Sequence, residues 1–220
     1  MSKEKEQLSL SDRVVLEDLF ESSEKLGGVA SSYFSNRVVS GTIIYEYGQI
    51  LEEKYAVEKI AFPYRPAFLM FTEGTSSVNA IKKLSCKPDL IFVNGHGIAH
   101  PRKAGLACYI GVLTGIPTIG VSKESLVGEY KEPKYEKKAE KLVLNEQQVG
   151  WVLKPRATIS PIFVSPGNGI SLKSCLDITK KFIKNRKLPE PLELARDYSK
   201  KVKEHVEQEI KRKEEKERLY

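Results

Sequence analysis

The sequence predicts an α/β fold on one mixed sheet flanked by helices, with an antiparallel half followed by a parallel half. Three observations lead there. Val29 to Phe34, Arg37 to Tyr47 and Ile50 to Ile60 are rich in β-branched and aromatic residues and are separated by short polar turns, the pattern of an antiparallel meander. Leu90–Val93 and Pro117–Val121 are short and almost wholly apolar, as parallel strands covered on both faces must be. Segments with helical spacing separate these later strands, which is the order of an α/β sheet.

Taken in order, residues 11–26 predict an amphipathic helix. Val15, Leu16, Leu19 and Phe20 fall on one face, Glu17, Asp18 and Glu21 on the other, and Ser11 is a candidate cap. Ser35-Asn36 and Gly48-Gln49 are candidate hairpin turns between the three strands. Glu73 to Leu84 has helical spacing at Val78, Ile81 and Leu84, with Thr72 as candidate cap. Glu129 to Lys141 is dense in lysine and glutamate and predicts a solvated loop. Gly150 to Leu153 and Pro161 to Val164 read as two more strands. Ser171 to Ile183 reads as a helix capped by Ser171, with Leu172, Cys175, Leu176, Ile178, Phe182 and Ile183 on its core face. Residues 1–197 are expected to form the domain. Residues 198–220 are expected to be a charged tail, a solvated helix or a disordered extension, with Val202, Val206 and Ile210 each four apart. A meander leading into alternating helices and strands is compatible with a ribonuclease H-like fold, which places a metal site at strand ends.

Composition narrows the function classes. With 220 residues, 40% of them apolar, the chain can bury one sizeable core. A net charge of +7 leans toward polyanions without fixing one. Cys86, Cys108 and Cys175 form no Cys-x-x-Cys pair, and Cys108 and Cys175 sit in apolar helical patterns, which points to buried reduced thiols. Met1 to Gln7 has no apolar core for a signal peptide, and no apolar run reaches the roughly 18 residues of a membrane span. A soluble, cytoplasmic protein is expected.

The richest stretch runs from Asp89 to Gly128. Leu90–Val93 feeds a polar glycine turn, Asn94-Gly95-His96-Gly97, then His100-Pro101-Arg102-Lys103, a helix, and a second strand ending near Lys123. Two further segments accompany it: Phe62-Pro63-Tyr64-Arg65-Pro66 running through Phe71-Thr72-Glu73, and Phe163-Val164-Ser165-Pro166-Gly167-Asn168-Gly169 with the later Lys187-Leu188-Pro189-Glu190-Pro191. Asn94-Gly95 by itself is a common turn pair, and Lys123 by itself a solvated lysine. In this order and spacing the three segments resemble the endonuclease V family over roughly residues 26 to 195.

The resemblance implies an enzyme that recognises a deaminated base, chiefly hypoxanthine (inosine), in DNA or RNA. It further implies hydrolysis of the second phosphodiester bond 3′ to that base with Mg²⁺, for which Mn²⁺ can substitute. Mapped onto this chain, the family's three metal carboxylates fall on Ala30, Glu73 and Asn94, so only Glu73 is acidic. Lys123 matches the catalytic-site lysine, and Asn168 stands where a histidine is common. The Pro63-Tyr64-Arg65-Pro66 element resembles a rigid wedge, its prolines fixing the backbone and its ring available for stacking. Gly95, His96, Gly97, His100, Arg102, Gly167 and Asn168 are expected near the base, with the glycines allowing close approach.

Magnitude shows how far the substitutions reach. A carboxylate about 4 Å from a unit charge is worth roughly 4 kcal/mol at an effective dielectric near 20. A millimolar magnesium site has only about 4 kcal/mol to lose. Losing two carboxylates therefore predicts a weak or empty metal site and impaired cleavage. The rival expectations are an active endonuclease V, in DNA repair or inosine-RNA cleavage, with an altered metal site, and a non-catalytic interaction protein.

Overall fold

The computed structural model describes residues 2–218 and contains the mixed, ribonuclease H-like sheet that the sequence predicts. Its strands are β1 (Leu26–Phe34), β2 (Arg37–Glu46), β3 (Gln49–Lys59), β4 (Leu90–Asn94), β5 (Thr118–Ser122), β6 (Ala139–Leu144), β7 (Gln147–Leu153) and β8 (Ile162–Asn168). They lie in the order β3-β2-β1-β4-β5-β8-β7-β6. β1, β4 and β5 run parallel and form the centre, and every other pairing is antiparallel.

Five helices cover the sheet: α1 (Lys3–Ser11), α2 (Leu69–Lys82), α3 (Leu106–Thr114), α4 (Leu172–Phe182) and α5 (Glu190–Arg218). One face packs against Leu10 of α1, Val78 and Ile81 of α2, and Leu106, Ala107 and Ile110 of α3. The other packs against Cys175, Leu176 and Ile178 of α4 and Leu192 and Ala195 of α5. Cys108 and Cys175 are buried free thiols, one on each side of the sheet. α4 follows the sequence closely, and the Ser171 Oγ accepts from Ser174 N at 3.1 Å as its cap.

Several elements differ from expectation. The expected helix over residues 11–26 is absent, and only Ser11 of that range is helical, as the last residue of α1. α1 instead covers Lys3–Ser11, capped by Ser2, and residues 12–25 run irregularly along the end of β8. Asn168 Oδ1 accepts from Val15 N at 2.9 Å, Val15 O accepts from Gly169 N at 2.7 Å, and Asp18 accepts from Ser171 N at 2.7 Å. The bonds to Val15 N and O satisfy backbone groups that a helix would have paired internally, and the Asp18 bond ties the segment to the start of α4, which together override the local periodicity. α2 begins at Leu69 rather than Glu73, so Thr72 is no cap. Its Oγ1 donates to Phe62 O at 3.2 Å.

The lysine-rich stretch 129–141 includes the start of β6. β6 and β7 are joined by Asn145 and Glu146, both left-handed with φ of 49° and 64°, the geometry of a tight two-residue hairpin turn. The pair lacks the glycine that usually announces such a turn. Finally, α5 runs unbroken through the expected boundary between residues 197 and 198. Ser199 and Val202 are buried, and Val206 and Ile210 pack toward Phe34, Val39 and Val57. The helix is strapped across β1 and β2 well beyond residue 198. Leu219 and Tyr220, the end of the expected tail, lie outside the described residues. Among the described residues no helix is long and apolar enough to cross a membrane.

Candidate nucleic-acid site

Where β4 ends at Asn94 and β5 at Ser122, a cavity of about 500 Å³ opens between α2, α5 and the loop before α2. Such volumes are typical of small-ligand pockets. Nine of the residues singled out from the sequence line it: Tyr64, Arg65, Pro66, Glu73, Asn94, Gly95, His96, His100 and Lys123.

Register explains how the centre forms. β1 pairs with β4 only from Leu26↔Leu90 to Val29↔Val93, so Ala30 sits beside Asn94 at the end of the ladder. Side chains alternate along a strand. Ala30 therefore shares the α5 face of the sheet with Phe92, while Val29 and Val93 share the α2 face. Beyond that point β1 continues without β4, and Tyr33 rises over the cavity from the α2 side. Its hydroxyl donates to Glu73 Oε1, and the Ser31 hydroxyl, hydrogen-bonded to Ser40 Oγ at 2.8 Å, stands near enough to favour the ionised carboxylate.

Glu73 is the fifth residue of α2, one full turn past its start, so the macrodipole of the first turn does not account for it. It is buried, and burial pushes its carboxyl up to about 7 against the opposing pull of the Tyr33 and Ser31 hydroxyls. The Tyr33 phenol is raised by burial and by the neighbouring carboxylate. Near neutral pH this site carries a carboxyl balanced between its two forms. Among the described residues no group of three or more His, Cys, Asp or Glu lies close enough together to hold a metal ion. The oxygen-bearing side chains that line the cavity around Glu73 include the Asn94 amide, the Tyr33 and Ser122 hydroxyls and the Glu124 carboxyl.

The tyrosine loop is braced from behind. Ala67 has φ 65°, a left-handed conformation that costs a non-glycine residue energy. Its carbonyl accepts from Gln7 Nε2 at 2.8 Å and His100 Nε2 at 2.8 Å, and more distantly from Arg102 Nη2 at 3.5 Å. His100 Nδ1 accepts from Arg102 N at 3.2 Å, which places the ring proton on Nε2. Burial pushes both His100 and His96 down to about 4, so both rings are neutral at pH 7. Arg102 Nε donates to Gln7 Oε1 at 2.6 Å, and its guanidinium stacks 4.8 Å from the Phe68 ring centroid. Tyr64 is held out at 67% exposure, and Arg65 lies 5.8 Å from the Phe62 ring centroid.

Other expected site residues have different places. Arg102 does not line the cavity; it anchors the tyrosine loop to α1. Pro63 is exposed on the outer side of that loop. Gly97 does not face the cavity either. A Cβ there would meet Pro166 O at 1.9 Å, so the glycine serves the packing of the turn against β8. A Cβ on Gly95 would meet Leu106 Cβ at 3.2 Å. Gly167 and Asn168 lie at the opposite end of the sheet. Asn168 pairs with Thr118, the first residue of β5, whereas the cavity sits beyond its last. That separation is roughly 13 Å at about 3.3 Å per residue. Asn168 holds the segment after α1 instead.

Among the lining or adjacent residues that escaped the sequence reading are Gln7, Ser31, Tyr33, Glu124 and Arg196. Tyr33 and Ser31 alternate with Ala30 and so had a period-two signal. Arg196 is signalled by the buried stripe Leu192, Ala195, Ser199 and Val202, whose helical spacing lays α5 along β1. A Cβ on Gly28 would meet Pro191 O at 2.1 Å, which shows how closely helix and strand approach. Lys123 lines the same side. Its ammonium is held below the usual lysine range by burial and by Arg196, Lys187 and Lys200, with Glu193 opposing.

The endonuclease V family model matches residues 8–197. The Archaeoglobus fulgidus endonuclease V is 41% identical over 204 residues, covering 91% of each chain. The crystal structure of the Bacillus subtilis endonuclease V superposes with a TM-score of 0.88 at 26% identity, covering 95% of each chain. The Ciona intestinalis endonuclease V, solved with a 23mer DNA containing an inosine followed by a ribo-adenosine, has a TM-score of 0.79 at 23% identity, covering 93% of this chain and 96% of that one. With a family model spanning most of its length and relatives matched almost end to end, this chain belongs to the endonuclease V family.

Proposed function

We propose that the chain recognises inosine in DNA or RNA through the cavity beneath Tyr64 and has lost most or all of the family's metal-dependent cleavage. The observation that carries this reading is the company kept by Glu73: hydroxyls, the Asn94 amide and nearby cations, with Glu124 the one other carboxylate in the cavity lining and no group of three or more His, Cys, Asp or Glu gathered to hold a metal among the described residues. Mg²⁺ requires an octahedral set of hard oxygens, with carboxylates among them. Ala30 supplies no donor, Asn94 only an amide, and Glu73 is engaged by Tyr33. The residues do not fit magnesium, and manganese meets the same donor set.

The recognition parts support binding. Tyr64 is exposed on a braced loop beside the cavity mouth, where a ring can stack in place of an extruded base. The neutral His96 ring offers one donor and one acceptor nitrogen, complementary to a base edge that carries both. The inosine-containing complex of the Ciona relative supports inosine as the base. The free thiols Cys108 and Cys175, buried in separate helices, accord with a reducing cytoplasm.

Cleavage and binding should be measured together on inosine-containing single and double strands of DNA and RNA, with Mg²⁺ and with Mn²⁺. The expected result is tighter binding to inosine than to guanosine strands, with little nicking. Ala30→Asp with Asn94→Asp should raise nicking. Robust nicking by the unaltered chain, abolished by Glu73→Gln, would overturn the proposal.

A further inference from the structure

We propose that Arg196 and Lys123 hold a backbone phosphate of the bound strand without any metal, at the cavity wall next to Asn94. The inference rests on the nucleic-acid reading above and adds how the strand is gripped. Both side chains line the same cavity as Glu73 and Asn94. Arg196 reaches it from α5, whose neighbouring residue Ala195 packs into the core that includes Ala30. A guanidinium therefore stands beside the strand end where the family places carboxylates.

The arm is fixed and its donors are free. Arg196 Nη1 donates to Glu193 at 3.3 Å, and Glu193 also pairs with Arg186 at 3.2 Å and accepts from Leu188 N at 3.0 Å. The shared carboxylate anchors one nitrogen of Arg196. Among the described residues Nε and Nη2 have no hydrogen-bond partner, and Lys123 has no ion pair. A guanidinium presents its donors in a rigid fork suited to phosphate oxygens.

The charge around the cavity points the same way. Arg65, Lys123 and Arg196 line it against the carboxyls of Glu73 and Glu124. Lys187 and Lys200 stand close enough to Lys123 to lower its proton affinity. Crowded, incompletely neutralised cations at one wall gain from an incoming phosphodiester. A divalent cation placed there would be repelled.

The test is fluorescence anisotropy of a labelled inosine-containing single strand across a salt series, in chelator and in Mg²⁺. The chain is compared with Arg196→Gln, Lys123→Gln and Arg196→Lys, and with Lys201→Gln, an exposed charge on α5 that does not line the cavity. Binding should be as tight in chelator as in Mg²⁺. Each glutamine variant in the cavity should weaken it about tenfold and reduce the salt slope by about 1, while Arg196→Lys keeps most of the slope. Melting temperatures identify any variant that fails for lack of folding, and Arg196→Lys then reads the site. A strict Mg²⁺ requirement, or an Arg196→Gln effect no larger than that of Lys201→Gln, overturns the phosphate site. A guanosine strand run in parallel separates the two ideas. Equal binding of inosine and guanosine sinks base recognition but leaves the Arg196 comparison readable. A retained inosine preference with an inert Arg196 sinks only the phosphate site.

Discussion

Replacing Glu73 with glutamine should stabilise this protein at alkaline pH and leave it almost unchanged in acid. The buried carboxyl is pushed from an ordinary value of 4.5 up to about 7, a difference of about 2.5 pH units worth roughly 3 kcal/mol at 1.36 kcal/mol per unit. The folded form holds its proton more tightly than the unfolded form. Its contribution is thus complete below pH 4.5 and is lost as pH rises through 7. Glutamine copies the neutral form, and the Tyr33 hydroxyl that bonds the carboxylate can accept as well as donate. For a chain of this size 1 kcal/mol corresponds to roughly 2–4 °C. Glu73→Gln should therefore melt about 6–12 °C higher at pH 8.5 in chelator-treated buffer and within about 2 °C of the unaltered chain at pH 4.5. Differential scanning calorimetry over that range provides the test. A pH-independent difference, or a loss of stability at pH 8.5, would refute the argument that the ionised carboxyl is buried at a cost.

Three further outcomes follow from the same geometry. His96 and His100, both pushed down to about 4 by burial, bind protons less well when folded, so their contribution disappears as pH falls from 6.5 through 4. Stability should drop by up to about 3 kcal/mol for each ring, and NMR titration should place both midpoints near 4; midpoints near 6.5 would contradict the burial. Arg102→Ala removes the Gln7 hydrogen bond and the Phe68 stack, should cost about 2 kcal/mol, and should speed chymotryptic cleavage after Tyr64. Gly28→Ala forces a methyl against Pro191 O and should cost about 3 kcal/mol by urea unfolding, with α5 displaced from β1.

The meander and the parallel strands were legible because their signals are local: period-two runs, apolar β4 and β5, and short turns. Ser171 also capped its helix as its sequence position implied. Residues 11–26 had an equally good helical pattern, yet Asn168 and Gly169 bind that backbone, and Ser171 the Asp18 side chain, from more than 150 positions away, a distance that periodicity cannot register. The Asn145-Glu146 turn lacks its usual glycine, which concealed β6.

For the site, the sequence by itself determined family membership and the nature of the residues facing the strand ends: Ala30, Glu73, Asn94 and Lys123. Those are matters of motif and spacing. Only the tertiary structure decided which residues meet. It sent Asn168 and Gly167 to the far end of the sheet, turned Arg102 into a brace, and brought Tyr33 and Ser31 onto Glu73. It also laid α5 so that Arg196 joins Lys123 beside Asn94. Convergence depends on strand register and on the close contact of Pro191 with Gly28, and those are set by packing across the whole sheet rather than by any local stretch of chain.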